Sequence, residues 1–473
     1  GVVALHQHVG WLPETRSVSE AEPCSLSDRP RCAPRAAYCL QQILQGQSPQ
    51  LYPYLLTEWL EKAAIAQQRV PEMLLPALLD KGRQQRDLRP AILSVLGQRG
   101  AWLAAQNPDW SYAVALITEA DWETSPSNAR LMFLQDLRCH NPDRARDLLQ
   151  TTWSQESAGD RTKFLATFRT GLSLADEPFL QTALSDRRSK EVRRAAADLL
   201  ACLPDSHLCQ QMAASIQAFV TRSPGSPASF KVQLPDILAL ELIQLGIEPK
   251  PAHQPFLNLG EKAGWLLQMI GATPLSFWNE TWEMTAAEII SLAQQHEWQL
   301  VLLQGWTVAA QRQGDRPWIM ALLKSVIDGS QWEGNVLHQP QIETLLSLLS
   351  LEQQNAVLLE LLRSRQDSIR QPLTIYLLCH SSGQWSSELA QEVLTRLQDY
   401  LAHNTDISKI TWGLRSDLKE FACFMPVSFL PEVFQLQAQL PPDSIWLQSV
   451  GELLSLLQFR QEMAQAFVAG DGG

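Results

Sequence analysis

Apolar residues recur along this chain with the spacing of an amphipathic helix, in segment after segment of ten to twenty residues. Pro, Gly, Asn and Asp punctuate the segments, and none shows a convincing period-two alternation. The spacing predicts helices over about 34–45, 48–68, 71–80, 89–98, 126–139, 142–155, 160–171, 176–185, 189–203 and 206–221. It predicts more over about 236–246, 261–271, 275–283, 285–295, 297–312, 315–327, 340–350, 351–364, 369–380, 385–403, 412–425 and 443–468. Short connections make consecutive helices antiparallel neighbours. An all-α chain is therefore expected.

Composition agrees. Leucine is roughly one residue in six and glutamine roughly one in ten, both above common usage. Charged residues are 19% of the 473, and β-branched strand formers are modest. Leucine supplies interhelical seams, and glutamine keeps helix propensity on the surface without adding charge. The net charge of −12 sets a repulsive field against phosphate backbones, which argues against bulk nucleic-acid binding.

The eight cysteines, at 24, 32, 39, 139, 202, 209, 379 and 423, contain no CxxC pair. Cys139-His140 and Cys379-His380 lack the second closely spaced pair that a zinc site needs. They read as reduced thiols of a cytoplasmic protein, and no cofactor is implied. No run of eighteen apolar residues is long enough to span a membrane. The start, Gly1 to His8, lacks an initiator Met and a basic leader, and reads as the end of a helix closed by Gly10 and Pro13. A truncated N-terminus is the expectation.

Ser223-Pro224-Gly225-Ser226-Pro227-Ala228-Ser229 is the best domain boundary, and Asp328 to Asn335 a weaker one. The expected organisation is a helical array over 1–222, a linker over 223–235, a Trp-rich unit over 236–335 and a C-terminal helical unit over 336–473.

One segment has the pattern of a HEAT repeat. Pro178 stands in the first turn of a helix capped by Asp176, and Asp186-Arg187-Arg188-Ser189 makes a turn. Val192-Arg193-Arg194 then opens a second helix, whose small residues 195–197 allow close stacking. A fainter copy runs from Arg365 through Asp367 and Arg370 to Leu377-Leu378. Together they predict an irregular HEAT-like α-solenoid of antiparallel helix pairs.

The chain also resembles a bacterial family of HEAT-like proteins known only as a domain of unknown function. The resemblance is carried by Val3-Ala4-Leu5 through Gly10-Trp11-Leu12-Pro13, by 71–79, by Asp186-Arg187-Arg188 with Val192-Arg193, by Gly260-Glu261-Lys262-Ala263, by Gly305-Trp306 and by Phe459-Arg460. It implies an adaptor role beside a SWIM zinc-finger protein or a MoxR-type ATPase. It implies no catalytic residues, and the family's upstream Gly-Thr-acid-Arg segment is absent here, in line with truncation.

The candidate partner-binding residues are Arg187, Arg188, Lys190, Arg193 and Arg194. Guanidinium forks suit the carboxylates of an acidic peptide or a phosphate. The same residues could instead be a solvated turn in which Arg and Asp pair between adjacent units. Lys81, Arg83, Arg86 and Arg89 carry the same ambiguity.

Seven of the 16 tryptophans fall at 265, 278, 282, 298, 306, 318 and 332. They read as packing between helices, with an exposed stacking stripe as the alternative. The function expected is a non-catalytic scaffold binding a protein partner on a concave surface. The alternative is an α/α-toroid enzyme acting on carbohydrate or lipid, suggested by Gln384-Trp385 and by the acids Asp121, Glu123, Asp176 and Glu177. Neither the DxDD nor the DDxxD acid cluster of terpene cyclases occurs. Likewise, the sequence itself pairs no two carboxylates for glycoside hydrolysis.

Overall fold

The computed structural model describes residues 24, 29–46, 52–114, 117–222, 230–250, 259–328, 339–364, 367–403 and 412–468. Of the expected linker over 223–235, residues 223–229 lie outside them, as do Gly1 to His8, Trp11, Trp332 and Arg365. The described residues are mostly helical, with a single two-stranded sheet among them. The all-α expectation holds at that level.

The chain divides into two compact units, residues 1–115 with 462–473, and residues 116–461. In the first, helix Pro34–Gln45 buries Ala36, Cys39, Leu40 and Ile43, the three-and-four spacing that defines one face. Helices Tyr52–Ile65, Leu75–Gln84 and Arg89–Ala105 complete the core with Trp59, Leu60, Leu78, Leu79, Ile92 and Val95. The Trp59 indole donates to the Ala36 carbonyl at 2.9 Å and meets the Phe467 ring edge-on at 5.3 Å.

In the second unit, the tryptophans at 265, 278, 282, 306 and 318 are all buried, and Trp298 is half-buried. They are core. Trp278 meets Trp282 and Trp306 edge-on at 5.4 and 5.6 Å, and Trp306 lies 5.4 Å from Trp318. Such pairs each add about 0.5–1.5 kcal/mol beyond area burial. Helices Glu261–Ala272 and Gln299–Gln313 close over this cluster at Gly305, where an added Cβ would lie 2.7 Å from the Ile270 side chain. Only a glycine permits that approach.

Three local features differ from expectation. The helix expected over 206–221 ends at Ile216, and Val220–Arg222 pairs antiparallel with Phe230–Val232. Val220 and Phe230 are buried on one side of that ribbon, which suits β-branched and aromatic residues. Leu430–Gln439 is a helix in a stretch where the spacing predicts none. Its Pro431 sits in the first turn, where no N–H is needed, so the proline starts the helix instead of breaking it. The third concerns Asp176.

Asp176 does not cap helix Glu177–Leu184 through its side chain. It closes the preceding turn by accepting from the Ser173 N–H at 3.1 Å, and it holds the buried Arg138. Arg138 and Asp176 are 0% and 1% exposed and pair through two bonds of 3.0 and 2.9 Å. The guanidinium also donates to the carbonyls of Thr170, Pro142, Phe168 and Gly171, and lies 4.3 Å over the Phe168 ring. Removing one partner of such a pair costs about 3–5 kcal/mol, because the other is left buried and charged. Asp176→Ala should therefore lower the unfolding free energy by about that much in urea titration. The double variant Arg138→Met/Asp176→Leu should lose less than the sum of the two single changes.

Candidate interaction site

The helices around the predicted site repeat. Trp122 and Trp153, Arg130 and Arg161, Phe133 and Phe164, and Leu134 and Leu165 are each 31 residues apart. The residues that open their helices, Pro126 and Ser157, have the same separation, and Ser189 follows at 32. Arg130, Arg161 and Arg193 thus occupy the same place in helices Ser127–His140, Ala158–Ala166 and Lys190–Leu200. Consecutive members of this set pack on each other.

The repeated arginines reach forward. Arg130 holds Glu156 in the next unit through two bonds of 2.5 and 3.0 Å, and Arg161 pairs with Asp186 in the one after. Each guanidinium lies over the tryptophan that opens its own unit, Arg130 at 5.3 Å from Trp122 and Arg161 at 5.5 Å from Trp153. Both ion pairs are largely buried. This spacing is in the sequence, but it is hidden there because the third copy carries Ala196 where the others carry Phe133 and Phe164.

Asp186 anchors the turn that bears the predicted residues. One carboxylate oxygen accepts from the backbone N–H groups of Arg188 and Ser189 at 2.7 and 2.9 Å. Burial alone would raise the Asp186 pKa, but those N–H groups and Arg161 bring it below the ordinary aspartate value. Arg193 does not reach forward as its counterparts do. It donates to the Asp186 carbonyl at 2.7 Å and locks the turn. Lys190, 61% exposed, meets Glu248 at 3.3 Å.

Arg187, Arg188 and Arg194 are exposed, and among the described residues their side chains form no ion pair. Arg187 and Arg188 fill the interval between the acid and the helix-opening serine, which in the preceding unit are adjacent as Glu156 and Ser157. The five predicted residues therefore separate into Arg193 and Lys190, engaged within the fold, and three free guanidiniums. The second basic cluster is engaged in large part: Arg83 pairs with Asp109 at 3.2 Å, and Arg89 donates to the Gly82 carbonyl at 2.8 Å, 4.7 Å over Tyr112. Arg86 is exposed.

The acids that an enzyme reading would need are employed separately. Asp121 accepts from the Thr118 hydroxyl at 2.6 Å in a capping box, and Glu177 accepts from the His207 N–H at 2.7 Å. Glu123 is exposed, and Trp385 is buried against Phe421 and Phe424. Among the described residues, no group of three or more His, Cys, Asp or Glu side chains could hold a metal ion, and no helix is long and apolar enough to cross a membrane.

The profile of a family of unknown function, DUF5691, matches residues 1–467. No curated protein and no solved structure matches the chain.

The pH dependence follows from Asp186. Its carboxylate contributes stability that is present above the unfolded aspartate value of about 3.9 and is lost as pH falls through the lower folded value. In urea titrations from pH 5 downward, Asp186→Asn should remove part of the acid-induced fall of the wild-type midpoint. The same fall in both proteins would contradict the assignment.

Proposed function

The chain belongs to DUF5691, a family of unknown function, and we propose that it is a non-catalytic helical-repeat scaffold. In this reading its helices pair into an irregular HEAT-like solenoid that offers a protein partner a concave surface. Support comes from the recurrence of Trp, Arg and Phe at 31 residues and from the packing of successive first helices. In such arrays each unit contacts its neighbours, and side chains outside the seams are left to bind.

The observation that carries the binding role is the contrast within one turn. Asp186, Arg193 and Lys190 are held by fold contacts, whereas among the described residues the side chains of Arg187, Arg188 and Arg194 form no ion pair. An acidic protein segment is the partner that three free guanidiniums on a chain of net charge −12 would recognise. A SWIM zinc-finger protein or a MoxR-type ATPase of a bacterial cytoplasm is the first candidate to supply it. Nucleic acid and membrane surfaces are not the proposed partners.

The test is co-purification with each candidate, comparing the wild type with Arg187→Glu/Arg188→Glu/Arg194→Glu. Captured partner should fall by about tenfold, the equivalent of about 1.4 kcal/mol, at an unchanged melting temperature. Undiminished capture by the charge-reversed chain would refute the site.

A further inference from the structure

In the first unit three arginines from separate segments converge on one carboxylate. Arg31 meets Glu72 with its Nη2 at 2.8 Å and its Nε at 3.2 Å, Arg69 with its Nη1 at 3.0 Å, and Arg99 with its Nη1 at 3.7 Å. The frame beneath them is backbone. Arg31 and Arg69 face each other in a parallel bridge, with Cys32 N–H donating to the Arg69 carbonyl at 3.0 Å and Arg69 N–H to the Pro30 carbonyl at 2.9 Å. Val70 N–H donates to the Val95 carbonyl at 3.0 Å, which ties this pair to the helix bearing Arg99. That carbonyl lies just before Gly97, whose φ of 63° interrupts the helix in a region that favours glycine.

The charges do not balance. Among the described residues, three guanidiniums pair with a single carboxylate here, an excess of two positive charges on an acidic chain. Arg69 is mostly buried and spends its Nε on the Arg29 carbonyl at 3.1 Å. Arg31 and Arg99 are 60% and 55% exposed. Arg99 donates no hydrogen bond among the described residues, because its approach to Glu72 is longer than a hydrogen bond. Its planar fork is held beside two others with its donors unspent.

We propose that Arg31, Arg69 and Arg99 form a binding site for a phosphate dianion, free or as a monoester, with Glu72 organising the three guanidiniums. A phosphate carries about −1.5 to −2 charges near pH 7 and three strong acceptor oxygens, which matches the excess charge and the free donors. Glu72 is itself ionised across the whole working range. Burial would raise its pKa, but its backbone N–H and the bonds from Arg69 and Arg31 pull it down to about 2. The site is independent of the Arg187 turn and takes a small anion.

The test is calorimetric titration of the full chain with inorganic phosphate and with phosphoserine at low ionic strength, with acetate as the control. Saturable one-to-one binding of phosphate or phosphoserine is expected, at least tenfold weaker in Arg31→Ala/Arg99→Ala, two exposed positions whose truncation leaves the core intact. Tighter binding of phosphoserine than of phosphate identifies a monoester as the ligand, and equal binding identifies the free ion. Absence of saturable binding, equal binding of acetate, or binding that survives loss of Arg31 and Arg99 would overturn the proposal.

Discussion

A buried guanidinium is tolerated only when its donors are met, since an unpaired charge away from water costs several kcal/mol. Arg138 meets that condition with four backbone carbonyls and the Asp176 carboxylate. Those acceptors come from Pro142, which opens the next helix, and from the turns at 168–171 and 173–176, so one side chain fixes where three connections lie. Arg460 repeats the device near the end of the chain, donating to the Ala422 and Met425 carbonyls from helix Leu447–Val468. These bonds add to the leucine seams in fixing the connections between neighbouring helices.

Arg130 and Arg161 extend the same logic from connections to repeats. Each stacks on the tryptophan of its own unit and binds an acid in the next, so its planar face and its donors are spent in different directions. Lysine could not do both. The series stops at Arg193, which turns back to its own Asp186, and the ribbon of Val220–Arg222 and Phe230–Val232 follows at the place of the next unit. The free arginines of the chain's most basic turn stand at this last member.

Helix positions were legible because packing faces leave a periodic trace: Ala36, Cys39, Leu40 and Ile43 announce their helix without any tertiary knowledge. The tryptophan cluster at 278, 282, 306 and 318 was legible as core from ring size alone. Leu430–Gln439 was not, because Pro431 reads as a breaker until its place in the first turn is known. The role of Asp176 was misread for a related reason. A capping aspartate and one that holds an arginine 38 positions away look the same in sequence. The basic turn is legible as the most charged stretch of the chain, yet only the Arg193 bond to the Asp186 carbonyl and the Lys190 pair with Glu248 separate these two from Arg187, Arg188 and Arg194. The Arg31, Arg69 and Arg99 group left no trace, since its members are scattered and meet through one backbone bridge and the shared Glu72 carboxylate.

Forward-reaching arginines join successive units spaced 31 and 32 residues apart. A double-mutant cycle on Arg161 and Asp186, using Arg161→Met and Asp186→Asn in urea unfolding, measures that join directly. The account predicts a coupling energy of about 1–3 kcal/mol, with the double variant losing clearly less than the two single losses combined. Strictly additive losses would show that the units are held by apolar packing alone and would contradict it.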